Sequence, residues 1–98
     1  MAAIPIPAGE IVEFCRRHHI RKLALFGSVL TDEFTPESDV DVLVEFEPGK
    51  TPGFGFFDIQ EQLSEFFSGH PVDLGTPDSL HPLIKKRVLR DAQVIYAG

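Results

Sequence analysis

The chain has 98 residues, 43% of them hydrophobic and 24% charged, and carries a net charge of −6. That length allows one small domain with a single core, and the composition is ordinary for a soluble globular protein. The acidic balance argues against sequence-independent binding to a nucleic-acid backbone, which relies on Lys and Arg. No apolar run approaches the roughly 20 residues of a membrane span, and MAAIPIPAGE lacks the basic and apolar regions of a secretory signal.

After a lead-in with Pro5, Pro7 and Gly9, a helix is expected from about Glu10 to His18, because Ile11, Phe14, Cys15 and His18 fall at i, i+3, i+4 and i+7. The lone Cys15 has no internal disulfide partner, which fits a reducing cytoplasm. Lys22 to Phe26 reads as a strand covered on both faces, through the continuous run Leu23-Ala24-Leu25-Phe26. Gly27-Ser28 then turns into a short helical segment, about Ser28 to Glu33, and Pro36 punctuates the loop that follows.

Asp39 to Phe46 reads as a second strand. Val40, Val42, Val44 and Phe46 share one face, and Asp39, Asp41, Leu43 and Glu45 share the other. The run EPGKTPGFG is a loop. A helix over Phe56 to Phe67 follows from the spacing of Phe56, Ile59, Leu63, Phe66 and Phe67, with Gly69 to stop it. Pro71 to Leu74 reads as a short strand bearing Asp73, and Thr76-Pro77-Asp78 as a turn. A third long helix is expected over Leu80 to Arg90 with an apolar stripe of Leu80, Leu83, Ile84 and Val88, then an edge strand over Gln93 to Tyr96. The expected fold is α/β (α+β): a small mixed sheet of about four strands backed by helices, in a single domain over residues 1–98. Strand, helix and strand from Asp39 to Leu74 form a crossover unit that places Asp73 in the same sheet as Asp39 and Asp41.

The chemistry concentrates in three places. Asp39 and Asp41 project from the same face of a strand, with backbones roughly 7 Å apart. Carboxylates so placed can converge on one divalent ion or bracket a pair about 3.5–4 Å apart, and a cation such as Mg2+ relieves their repulsion. Taken alone, Asp39 reads as a turn or cap residue and Asp41 as a solvated side chain. Gly27 permits a tight turn with close approach to the backbone, and Ser28 opens a helix whose free N–H groups and hydroxyl suit a phosphate. Taken alone, that turn is also an ordinary Ser-capped connection. Asp73 interrupts an apolar strand, where a carboxylate would be costly if buried, and near metal ions it suits a ligand or general base.

Together, G-S, ten residues, D-x-D and a later strand with a third Asp resemble the nucleotidyltransferase superfamily of polymerase-beta type. The length resembles its minimal (MNT) branch, whose members are commonly paired with a HEPN protein in toxin–antitoxin modules. The resemblance spans about Ile11 to Tyr96. It implies a polymerase-beta-like nucleotidyltransferase fold, with Gly27 and Ser28 on the β- and γ-phosphates of a nucleoside triphosphate, and Asp39 and Asp41 on Mg2+. Asp73 would be the third metal-site carboxylate and would activate the acceptor hydroxyl. The implied reaction transfers AMP from ATP to a hydroxyl, a Tyr or Ser/Thr of a HEPN toxin, with release of pyrophosphate; the chain would then be an antitoxin. The acceptor site would be completed by that partner or by a second copy of this chain. One position departs from the pattern: Thr31 stands where relatives often carry an Arg, three residues after the motif Ser. A domain of this fold that neutralises a toxin by binding alone is the alternative reading.

The remaining features read as structural. Lys85, Lys86, Arg87 and Arg90 make a basic stretch on the last helix, a solvated face or a docking surface. His18, His19, His70 and His81 lack metal-ligand spacing. Phe54, Phe56, Phe57, Phe66 and Phe67 are expected in the core, with any that reach the surface marking a protein partner.

Overall fold

The computed structural model describes residues 3–98. It contains α1 (Ala8–Arg17), β1 (Ile20–Phe26), a 3-10 turn (Gly27–Leu30), β2 (Val40–Phe46), α2 (Gly55–Phe66), β3 (Val72–Gly75), a second 3-10 turn (Pro77–Ser79), α3 (Pro82–Asp91) and β4 (Gln93–Ala97). The four strands form one mixed sheet in the order β3-β2-β1-β4. β1 is antiparallel to β2 and to β4, and β2 is parallel to β3, as the crossover through α2 requires.

One face of the sheet is apolar because of the alternation in β2. Val40, Val42 and Val44 are fully buried, together with Leu23 and Leu25 of β1. They pack against Ile11, Phe14 and Cys15 of α1, and against Ile59 and Leu63 of α2 with Phe67 just beyond it. Phe14 and Phe66 meet edge-on, ring centroids 5.4 Å apart, and lock the two helices together. The Gly-rich loop before α2 and Gly69 beyond it bound that helix as expected.

The opposite face is poorer in apolar ground. Its buried residues Ala24 and Leu43 are register partners, flanked by Lys22 and Glu45. The second 3-10 turn and α3 cover them with Pro77, Leu89 and Ala92, leaving a gap of about 40 Å³. The expected core stripe of the last helix is therefore corrected: α3 has no buried residue, Leu83 is 87% exposed, and Ile84 is exposed as well. A face on which Ala24 and Leu43 are the buried residues, beside half-exposed Val94, leaves most of a helical stripe uncovered. α3 also starts later than expected, with the His81 ring nitrogen Nδ1 accepting the Leu83 N–H and Pro82 at the first position. Two phenylalanines are likewise corrected. Phe54, which precedes α2, is 92% exposed, and Phe57 is 64% exposed; the core-facing side of α2 is already filled by Ile59 and Leu63.

Candidate active site

A single row of backbone register organises the site. Phe26, the last residue of β1, pairs with Asp41 on β2, and Asp41 pairs with Asp73 on β3. Directly opposed residues on neighbouring strands point to the same face, with backbones about 4.8 Å apart. Asp41 and Asp73 therefore stand side by side on the face away from the main core. Asp39 lies just before β2 rather than inside it, and is exposed. It is nonetheless close enough for its charge to act on Asp41.

Local chemistry holds this arrangement. Val40 N–H donates to the Pro71 carbonyl at 2.8 Å, which carries the β2–β3 ladder to the edge of Asp39. The His70 ring N–H donates from Nδ1 to the Ser38 carbonyl at 2.9 Å. Ser38 Oγ accepts the Thr35 N–H at 2.9 Å, closing the loop that delivers Asp39. On the far side of β3, Gln60 Oε1 accepts the Leu74 N–H at 3.2 Å and ties the strand to α2. His70, expected to be structural or at the surface, meets Ser38 across the loop, and that tertiary contact gives both a part in placing Asp39.

The Gly27-Ser28 turn packs directly on this row. Gly27 has φ +78°, in the left-handed region that favours glycine, and a Cβ at this position would collide with Oδ2 of Asp41. The backbone of the turn thus abuts the Asp41 carboxylate, an approach that side chains other than hydrogen would prevent. Val29, fully buried, anchors the turn in the core. The helical segment is shorter than expected, because the Thr31 N–H and hydroxyl both donate to the Ser28 carbonyl at 2.9 Å and end it.

Electrostatics follow from this crowding. Burial pushes the Asp41 carboxyl above its ordinary range, and the charges of Asp73 and Asp39 push it further. Asp73 itself is exposed. Three carboxylates offer hard oxygen donors suited to a divalent cation. Among the described residues, no three His, Cys, Asp or Glu side chains are gathered tightly enough to enclose an ion as they stand. The donor chemistry and the mutual repulsion fit a divalent cation; the side chains are open rather than closed around a point.

A cleft of about 970 Å³ begins at the turn and runs to the last helix, lined by Gly27, Ser28 and Thr31 on one side and Arg87, Val88 and Asp91 on the other. It borders the carboxylate row through Gly27.

Residues 9–95 match the model of the nucleotidyltransferase domain family. The chain belongs to that family. A protein adenylyltransferase, MntA of Thermococcus cleftensis, is 38% identical over 84 residues, covering 86% of this chain and 81% of that protein. A Methanocaldococcus jannaschii protein, also named for protein adenylyltransferase activity, is 37% identical over 92 residues, covering 84% of this chain and 91% of that protein. A solved minimal nucleotidyltransferase is 32% identical, with a TM-score of 0.69 over 87% of this chain and 85% of its own. The fold also matches a toxin–antitoxin complex crystallised with AMP-PNP, at 17% identity and a TM-score of 0.71 over 95% of this chain and 75% of that one. It further matches a Shewanella oneidensis complex of a tri-AMPylated HEPN toxin with its MNT antitoxin, at 17% identity and a TM-score of 0.62, covering 93% and 70%. The chain is thus a nucleotidyltransferase by family, with the expected mixed α/β fold of the minimal branch. No helix among the described residues is long and apolar enough to cross a membrane.

Proposed function

We propose that this nucleotidyltransferase moves AMP from ATP to a side-chain hydroxyl of a HEPN-type toxin and thereby acts as its antitoxin in the cytoplasm. The observation that carries the reading is the contact of the Gly27 backbone with Asp41, which in turn stands abreast of Asp73. The turn backbone and a set of carboxylates meet at one place, beside the cleft that Gly27 and Ser28 line.

In this reading Ser28 and the turn backbone hold the β- and γ-phosphates, and Asp39, Asp41 and Asp73 hold Mg2+. When bound, Mg2+ offsets charge on the phosphate oxygens. Asp73, exposed at the strand start, accepts the proton of the attacking hydroxyl. Asp41, the most buried of the three, fixes the site's position relative to the turn. The hydroxyl oxygen forms a bond to the α-phosphorus as the bond to the bridging oxygen breaks, and pyrophosphate leaves. Exposed Phe54 and Phe57 offer an apolar surface that suits a protein partner better than a small acceptor.

The test is to incubate the chain with Mg-ATP and a HEPN-type partner and weigh the partner intact. AMP-sized increments that vanish with Asp39→Asn or Asp41→Asn support the proposal. An unmodified partner held in a tight complex would show instead that binding alone neutralises it.

A further inference from the structure

The cleft beside the turn contains a cation that the proposed reaction leaves without a task. A triphosphate brings several negative charges to a site already carrying three carboxylates. The turn itself supplies no positive charge: Val29 is buried, Thr31 is spent on the Ser28 carbonyl, and Asp32 and Glu33 follow. Of the residues lining the cleft, the basic one is Arg87 on α3, opposite Gly27 and Ser28.

Arg87 lies near Asp91, whose carboxyl is held low chiefly by Arg90 and to a lesser degree by the charge of Arg87. Asp91, one helical turn on, is gripped by Arg90 through both oxygens, Nε to Oδ1 at 3.0 Å and Nη2 to Oδ2 at 3.3 Å. Among the described residues Arg87 enters no ion pair, whereas Arg21, Lys85 and Arg90 do. The same cleft holds Gln93, whose Oε1 is buried without a hydrogen-bond partner among the described residues.

We propose that Arg87 is the triphosphate-binding cation of this chain, reaching across the cleft from α3 to the phosphates held at Gly27 and Ser28, and so making it select a nucleoside triphosphate over a monophosphate. A planar guanidinium suits two phosphate oxygens at once. The proposal rests on the reading of the Gly27-Ser28 turn as the phosphate site.

Calorimetric titration of the full chain with Mg-ATP and with AMP tests it. Arg87→Ala should weaken ATP binding about ten- to hundredfold, the scale of a charge-assisted hydrogen bond, and change AMP binding by less than about twofold. Arg87→Lys should recover part of the loss. Lys86→Ala, on the same helix but outside the cleft lining, should leave ATP binding unchanged. Adding Thr31→Arg to Arg87→Ala should restore affinity from the opposite wall of the cleft. Equal losses for ATP and AMP, or undiminished ATP binding by Arg87→Ala, would overturn the assignment while leaving AMP transfer standing. A wild-type chain that binds ATP through Arg87 yet modifies no partner would overturn AMP transfer alone. Absence of ATP binding in the wild type would overturn both.

Discussion

Asp41 and Asp73 face each other across the parallel strands β2 and β3, and the Asp41 carboxylate is pressed against the backbone of Gly27. The fold thus holds a half-buried carboxylate where its surroundings disfavour the charge. The sign is clear: a carboxyl whose folded pKa is raised contributes stability below its unfolded pKa and loses it as pH rises. Near neutral pH, Asp41→Asn should therefore raise Tm, by about 4–8 °C for each kcal/mol gained in a domain of this size. Mg2+ should stabilise the wild type more than the variant. Thermal scans with and without Mg2+ check both, and a lower Tm for Asp41→Asn would contradict the electrostatic reading.

Gly27→Ala should cost about 1–3 kcal/mol, from a positive φ and from overlap with Asp41. The two effects separate in a double-mutant cycle. Shortening Asp41 to Ala removes the colliding oxygen, so the cost of Gly27→Ala should fall in that background and the cycle should be non-additive. Additive denaturation energies would mean that the turn does not rest on Asp41.

His18 gives a pH dependence remote from the site. Burial holds its pKa below the ordinary value, with the Arg17 charge adding to the effect, and its ring packs at a tilt on the buried Phe14, centroids 4.4 Å apart. A histidine that resists protonation in the fold stabilises it above the unfolded pKa, and that contribution is lost as pH falls below about 6.5. Urea midpoints should drop between about pH 7 and 5, and His18→Leu should flatten the slope.

Cys15, fully buried in α1, has its thiol pushed up to about 12 by burial. It should resist thiol reagents at pH 8 in the native chain and react fully once the chain is unfolded. Rapid native labelling would contradict the packing of α1 on the sheet.

Much of this fold is legible in the chain itself because β2 writes it twice. Val40, Val42 and Val44 mark the buried face, and Asp41 between them marks the other. The crossover from β2 to β3 follows from the helix and short strand after it. What is not legible is register. No local signal says that Asp41 pairs with Asp73 and Phe26 at once, because that is settled by three strands packing together. The fate of apolar side chains on α3 is hidden for the same reason. Leu83 and Ile84 have the spacing of a core stripe, yet α3 turns Leu89 and Ala92 toward the sheet and leaves Leu83 and Ile84 exposed. Asp39 falls just outside β2 because its placement comes from the Thr35–Ser38 loop and His70, a contact across 32 residues.

The account turns on whether the carboxylate row and the Gly27 turn together transfer the α-phosphoryl group of ATP with its nucleoside. ATP labelled either at the α- or at the γ-phosphorus, incubated with the chain, Mg2+ and a HEPN-type partner, decides it. The α-label should appear on the partner, the γ-label should leave in pyrophosphate, and Asp41→Asn should abolish the transfer. Labelling of the partner from the γ-position, or neutralisation of the partner with no label from either, would contradict the account.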